Sequence, residues 1–200
     1  HTAMVIREIA QRYPIDGVHL DYVRYPNDDF DYSPAAMEQF KNAVLPDLSD
    51  SQRREAAAQE PLDPAAYPNL FPDKWRDFRR SRLTALVVKI RAAVKAVRPD
   101  AAVSPAVVAD AQQAFDERLQ DWRGWIDHSL LDVLCPSRGR PENLERLAHA
   151  LGETCEVPYR LGRDSAGWLL VVISRIPNGA VGARGGPQGP RGPGASFGLS

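Results

Sequence analysis

An α/β fold with a parallel sheet is what this sequence predicts. Helical and strand-like stretches alternate through the first two thirds of the chain. Strand-like stretches at 18–22, 101–108 and 130–135 are each short, with a Pro or Gly close to one end. One of them, Val18 to Tyr22, has two chemically distinct faces. Such alternation of helix and strand is the signature of a parallel α/β arrangement.

The elements follow in order. Thr2 to Tyr13 is predicted to be a helix, with Val5, Ile6, Ile9 and Tyr13 at helical spacing, Thr2 as its cap and Pro14 as its stop. The stretch from Asp16 to Pro26, DGVHLDYVRYP, then supplies the first strand. Successive strand side chains point to opposite faces, so Val18, Leu20 and Tyr22 share one face, and His19 and Asp21 the other. In a (β/α)8 barrel the apolar face packs on the outer helices, and a carboxylate near the strand's C-terminal end reaches the active-site mouth. An ordinary half-buried strand with a solvated or paired Asp21 is the competing reading.

Asn27 to Pro72 is irregular, rich in Asp, Pro, Ala and Ser. A helix is expected from Ser33-Pro34 to about Val44, since Pro suits a first helical turn, and a shorter one from Ser51 to Gln59. Insertions of this length are usually functional or disordered, and this one follows the strand's C-terminal end. Asp73 to Arg98 is the clearest helix: Trp75, Phe78, Leu83, Leu86, Val87, Ile90, Val94 and Val97 recur three and four apart. The cluster Arg79, Arg80 and Arg82 reads most simply as a solvated face. Ala101 to Val108 suits a buried parallel strand, although Pro105 forbids a normal ladder bond. Gln112 to Ile126 is predicted as one helix and Leu130 to Cys135 as a third strand stopped by Pro136. Beyond it, Pro141 to Leu151 is expected to form a helix and Trp168 to Ile176 a strand. From Pro177 onward Gly, Pro, Arg and Ala dominate without collagen's register, which predicts a disordered tail.

Composition narrows the function classes. The 200 residues are enough for one domain with a sizeable core. Lys+Arg number 25 against 26 Asp+Glu, a formal net charge of −1, so there is no basic footprint for nucleic acid. No apolar run approaches a membrane span. The first ten residues do not read as a signal peptide, and the lack of an initiator Met leaves room for a leader upstream. Cys135 and Cys155 are too few for a disulfide framework or metal knuckle and read as small buried hydrophobes. No phosphate-binding Gly loop, nucleophile elbow or zinc signature is present, and no metal or cofactor is expected. Asp28, Asp29 and Asp31 lack the Gly turn and terminal Glu of an EF-hand and read as a solvated acidic loop. Oligomeric state is not legible.

The motif from Asp16 to Pro26, together with Trp75 to Arg80 (WRDFRR) and the run of Gln120-Asp121-Trp122, Trp125 and Leu131-Asp132-Val133, resembles the glycosyl-hydrolase-like family ten. The resemblance covers roughly residues 1–136. It implies a bacterial, mostly extracytoplasmic TIM-barrel protein that hydrolyses glycans, peptidoglycan strands in some members; the chain by itself assigns no compartment. The same resemblance makes the three strands the fourth to sixth of an incomplete (β/α)8 barrel, with its helices and a disordered C-terminal tail. The expected organisation is a partial barrel domain at 1–136, a poorly matched continuation at 137–176 and the tail at 177–200. Where the family would continue with further βα units, Ser137-Arg138-Gly139-Arg140 stands instead. A reading-frame error in a GC-rich gene is the expectation, testable by reading the other two frames.

Glycoside hydrolysis generally needs two carboxyl groups flanking the scissile bond. Asp21 is the first catalytic candidate and Asp110, just past the 101–108 strand, the second. Asp132, before its strand's apolar core, is near the wrong end and reads as structural. His19, one pleat deeper than Asp21, is a candidate for hydrogen-bonding the carboxylate or a sugar hydroxyl. Tyr25 offers a ring to a sugar, better placed than Tyr22, which falls on the helix-facing side; Arg24 is a candidate to orient a carboxylate at the rim. The expected partner is a carbohydrate substrate. Two alternatives stay open: a non-catalytic glycan-binding barrel, and a truncated or frameshifted product with no activity, since half a barrel exposes strand edges.

Overall fold

A computed structural model describes residues 1–27, 29–137, 159–163 and 169–173. The expected 141–151 helix and the tail from Pro177 lie outside these residues. The order is α1 (Thr2–Arg12), β1 (Gly17–Leu20), α2 (Pro34–Val44), a 3-10 turn (Leu45–Asp47), α3 (Asp50–Gln59), α4 (Ala66–Leu70), α5 (Pro72–Lys95) and β2 (Ala102–Val108). Then come α6 (Ala111–Glu117), α7 (Trp122–Asp127), β3 (Val133–Ser137), β4 (Tyr159–Arg163) and β5 (Leu169–Ile173). The sheet runs β1-β2-β3-β5-β4. Its first three strands are parallel, as expected, but β5 pairs antiparallel with β3, and β4 with β5. The chain is thus a mixed α/β structure with a small parallel sheet, and its 169–173 strand does not continue that parallel order.

Register explains the two faces of the sheet. Val18 pairs with Val103 and Leu20 with Pro105, while His19 pairs with Ser104. Leu20, Val103 and Val107 are buried in a core with Leu83, Val87, Ile90 and Val94 of α5 and with Trp122 and Trp125 of α7. That is the outcome of the apolar stripe along α5 meeting the apolar face of the strands. The opposite face carries His19, Ser104 and Ala106. β1 starts at Gly17 because space there is scarce: a Cβ would come within 2.8 Å of the Ala102 carbonyl oxygen. Gly17→Ala is therefore expected to cost about 1–3 kcal/mol by overpacking, read as a lower urea midpoint. An unchanged midpoint would show that β1 and β2 separate at no cost.

The 27–71 insertion is more ordered than its composition predicts. Ser33 caps α2, accepting from the Ala36 N–H, and Ser49 with Gln52 forms a capping box at α3. Phe40, Val44, Leu48, Ala56 and Tyr67 form a second apolar core on Trp75, whose ring meets Phe40 at 5.0 Å and stacks on Phe78 at 5.6 Å. The insertion is thus a helical cap seated on the first turns of α5.

Several local expectations are corrected. Thr2 is the first helical residue of α1 rather than its cap, and Val5, Ile9 and Tyr13 of its apolar stripe are exposed while Ala10 is buried. The expected single helix over 112–126 is two helices: Leu119 adopts a left-handed φ of 56°, and Asp121 starts α7 by accepting from the Gly124 N–H at 3.0 Å. A Cβ at Gly124 would sit 2.5 Å from the Asp121 Oδ2, so a larger residue there would have to displace the capping carboxylate. Arg79 and Arg80 are buried rather than solvated. Arg79 donates to the Phe30 carbonyl and lies 5.2 Å from the Trp75 ring centroid. Arg80 stacks on Phe115 at 3.5 Å, pairs with Asp77 at 2.6 Å and donates to the Phe115 carbonyl. Cys135 is half-buried, and Cys155 lies outside the described residues.

Asp132 takes the structural role that its position implied. Its Oδ2 accepts from the Val103 N–H at 2.9 Å and pairs with Arg91 at 3.0 Å and Lys95 at 3.1 Å, locking α5 to β2 and to the start of β3. Burial pushes its carboxyl up, but the Val103 N–H and the Arg91 and Lys95 bonds together hold it below the usual carboxylate range. The folded value is the lower one, so its stabilisation is complete above the unfolded value of about 4 and is lost as pH falls through the folded one. Asp132→Asn is expected to lower Tm at pH 7, with the gap from the parent chain closing below pH ~4. A gap that persists at low pH would contradict the assignment.

Candidate functional site

The candidate site is built where β1 and β2 end. β1 supplies His19, and the register sets it beside Ser104 of β2, whose Oγ lies 3.0 Å from the His19 Nδ1. Ser104 was not singled out from sequence; only strand pairing joins residues 85 positions apart. The contact fixes the imidazole ring on the sheet face away from the helices and leaves Nε2 for another partner.

β1 stops at Leu20, so Asp21 stands immediately past the strand, exposed, at the start of a turn. Among the described residues its carboxylate has no hydrogen bond or ion pair. The turn also corrects Tyr22. Its backbone is left-handed, φ 57°, and its ring is exposed rather than facing the helices; Val23 enters the core instead. The Arg24 guanidinium lies 4.2 Å from the Tyr22 ring centroid, a cation–π contact beside Asp21.

The turn is held from behind by a residue that the sequence reading did not pick out as functional. Gln120 is 1% exposed, and its Nε2 donates to the Val23 carbonyl at 2.9 Å and the Ala106 carbonyl at 3.0 Å. Its Oε1 accepts from the Val108 N–H at 3.0 Å. One buried amide therefore ties the segment after β1 to the C-terminal half of β2. Arg118 adds a bond to the Pro26 carbonyl, and the Tyr25 N–H donates to the Arg118 carbonyl. Its local sequence, Arg118-Leu119-Gln120-Asp121-Trp122, mixes polar and apolar residues and carries no signal of that burial.

Tyr25 is half-buried beneath the helical cap. Burial pushes its phenol up; Arg79 opposes the shift and Asp31 adds to it. It lines a cavity of about 220 Å³ with Asp31, Trp75, Arg79 and Arg82. Asp110 lies past the end of β2, where its Oδ1 caps α6 by accepting from the Gln113 N–H at 3.0 Å. The structure thus brings His19, Ser104, Asp21, Arg24 and Tyr25 to the end of β1, and places Asp110 beyond the neighbouring strand as a helix cap. Among the described residues no cluster of three His, Cys, Asp or Glu has the arrangement to hold a metal ion. None of their helices is long and apolar enough to cross a membrane.

Comparison with known proteins gives this geometry a context. Residues 2–150 match a family model described as Glycosyl hydrolase-like 10, reaching past Pro136, where the sequence resemblance was expected to end. Proteins named Glycosyl hydrolase DigH from Escherichia coli and Shigella flexneri are each 26% identical over 146 residues, covering 66% of this chain and 27% of the relative. The chain spans about a quarter of the length of these relatives.

Proposed function

The chain belongs to the glycosyl hydrolase-like 10 family, and on that premise we propose that it forms part of a (β/α)8 barrel that hydrolyses glycosidic bonds. Asp21 is the observation that carries the reading: an exposed carboxylate directly after a parallel strand, with an imidazole on the same strand. In barrel enzymes the chemistry sits at the C-terminal ends of strands, and β1, β2 and β3 lie side by side in the sequential order that a barrel uses. The partial barrel is assigned to residues 1–136, its continuation to 137–176, with the family match running into the latter.

In this reading Asp21 acts as acid, base or nucleophile on the anomeric centre of a polysaccharide or peptidoglycan glycan strand. His19, oriented by Ser104, donates from Nε2 to a sugar hydroxyl or to Asp21. Arg24 and Tyr25 flank the bound sugar. Asp110 is the second carboxylate, although capping α6 already occupies one of its oxygens. No metal or cofactor enters the scheme. The test is the appearance of new reducing ends when a glycan polymer is incubated with a chain carrying all eight strands. Glycan binding without new ends would favour a carbohydrate-binding barrel instead.

A further inference from the structure

The ring set beside Asp21 is that of Tyr22, and the fold gains little from holding it there. Asp21 and Tyr22 directly follow β1 and both are exposed, Tyr22 at 58%. The Tyr22 backbone is left-handed, φ 57°. That conformation is costly for a residue with a Cβ, and Gly or Asn adopts it more readily. Burial does not offset the cost, because the ring belongs to neither apolar core. Its contact with the Arg24 guanidinium, 4.2 Å from the ring centroid, is a cation–π pair at the surface and returns less than the strained backbone costs. Non-glycine residues held in this region concentrate at active sites and ligand clamps. The surrounding loop maintains the geometry. The Tyr22 carbonyl accepts from the Arg24 N–H at 2.8 Å, which folds Arg24 back over the ring. Val23 is buried with its carbonyl bonded to Gln120, and the Tyr25 N–H donates to the Arg118 carbonyl. Arg24 thus covers one face of the ring, and the other is open to solvent.

We propose that Tyr22 is the stacking platform for the sugar unit next to the cleaved bond, preset by its left-handed backbone and by Arg24. A pyranose carries axial C–H groups that form an apolar surface, and these stack on the negative face of an aromatic ring. Tyr25, the better candidate by sequence, is half-buried beneath the helical cap, whereas Tyr22 offers an open face. A ring already fixed in its bound position loses less freedom when the sugar arrives, so the strain is exchanged for affinity. Stability and binding therefore respond in opposite directions when the strain is relieved. This inference rests on the glycosidase reading for the bond that lies next to the sugar, but the stacking itself is tested by binding.

The experiment is calorimetric titration of the eight-strand chain with a β-1,4-linked N-acetylglucosamine hexamer, in an Asp21→Asn background that spares the probe, alongside urea denaturation. Tyr22→Ala is expected to weaken binding about tenfold, the size of one aromatic contact, and Tyr22→Phe, which keeps the ring, to retain the parental affinity. Tyr22→Asn is expected to weaken binding about as much while raising the urea midpoint, because Asn accepts a left-handed backbone more readily. With Asp21 intact, Tyr22→Ala is expected to raise KM about tenfold at nearly constant kcat. Unchanged affinity in Tyr22→Ala, or no binding by the parent, overturns the proposal. So does an Asn variant that loses stability along with affinity, which would mean that the ring packs on protein. Cleavage assays separate the two claims. Parental kcat and KM in Tyr22→Ala sink the platform alone. Tyr22-dependent binding by a chain that cuts no glycan sinks the glycosidase reading alone.

Discussion

Asp21→Asn is expected to reduce glycan cleavage by about 10²–10⁴-fold, the range that a positioned acid or base contributes, with the fold unchanged. The side chain is exposed, lies outside the core and has no protein partner among the described residues, so its loss removes no packing. The amide keeps the shape and can still hydrogen-bond a sugar, but it can neither accept a proton at the required basicity nor form a glycosyl ester. A kcat effect with a nearly constant KM is therefore the signature. His19→Ala is expected to be milder, since it removes a hydrogen bond and not the reacting group. Cleavage by Asp21→Asn at the parental rate would remove Asp21 from the mechanism.

Gln120→Leu carries the largest expected effect on stability, about 3–5 kcal/mol. Leu nearly conserves volume but strands the Val23 and Ala106 carbonyls and the Val108 N–H, all satisfied by one amide in the parent chain. An unmade buried hydrogen bond costs about 1–3 kcal/mol, and there are three. The consequence reaches the site, because the Val23 carbonyl is what the amide uses to hold the Asp21 turn. Gln120→Glu tests the electrostatics at similar shape: it keeps an acceptor for Val108 and turns a carboxylate oxygen toward two carbonyls. Chemical denaturation of the three chains measures both. A loss below about 1 kcal/mol for Leu would mean that water replaces the amide and that the turn is held elsewhere.

Elements were legible where one face of one segment determines the structure. The stripe from Trp75 to Val94 has a single helical solution, and α5 spans Pro72–Lys95 as the spacing requires. The alternation in Val18, His19 and Leu20 likewise assigns the faces of β1. What was not legible depends on partners distant in sequence. Arg79 and Arg80 read as a solvated cluster because nothing nearby reveals that Phe30, Trp75 and Phe115 will cover them. Ser104 lies inside an apolar strand, and only the register with β1 sets it against His19. The break between α6 and α7 follows from the left-handed Leu119 and the Asp121 cap, neither of which disturbs the apolar period that predicted one helix. Tyr22 does not face the helices because β1 ends at Leu20 and its own backbone is left-handed.

The sequence places His19 and Asp21 on one strand face, whereas β1 ends at Leu20 and Asp21 begins the turn that follows. Gln120, which holds the loop in place, and the cap that covers Tyr25 came only with the packing. The 27–71 segment is polar enough to read as loop, yet a buried patch of Phe40, Val44, Leu48 and Tyr67 suffices to fold it onto Trp75.

The central claim is that a glycosidic bond is broken at the end of β1. A crystal structure of the eight-strand chain, inactivated by Asp21→Asn and bound to an oligosaccharide, tests it most directly. The account predicts the scissile linkage within hydrogen-bond reach of residue 21, with a sugar hydroxyl on the His19 Nε2. A glycan bound elsewhere, with residue 21 beyond the reach of its linkage, would contradict it.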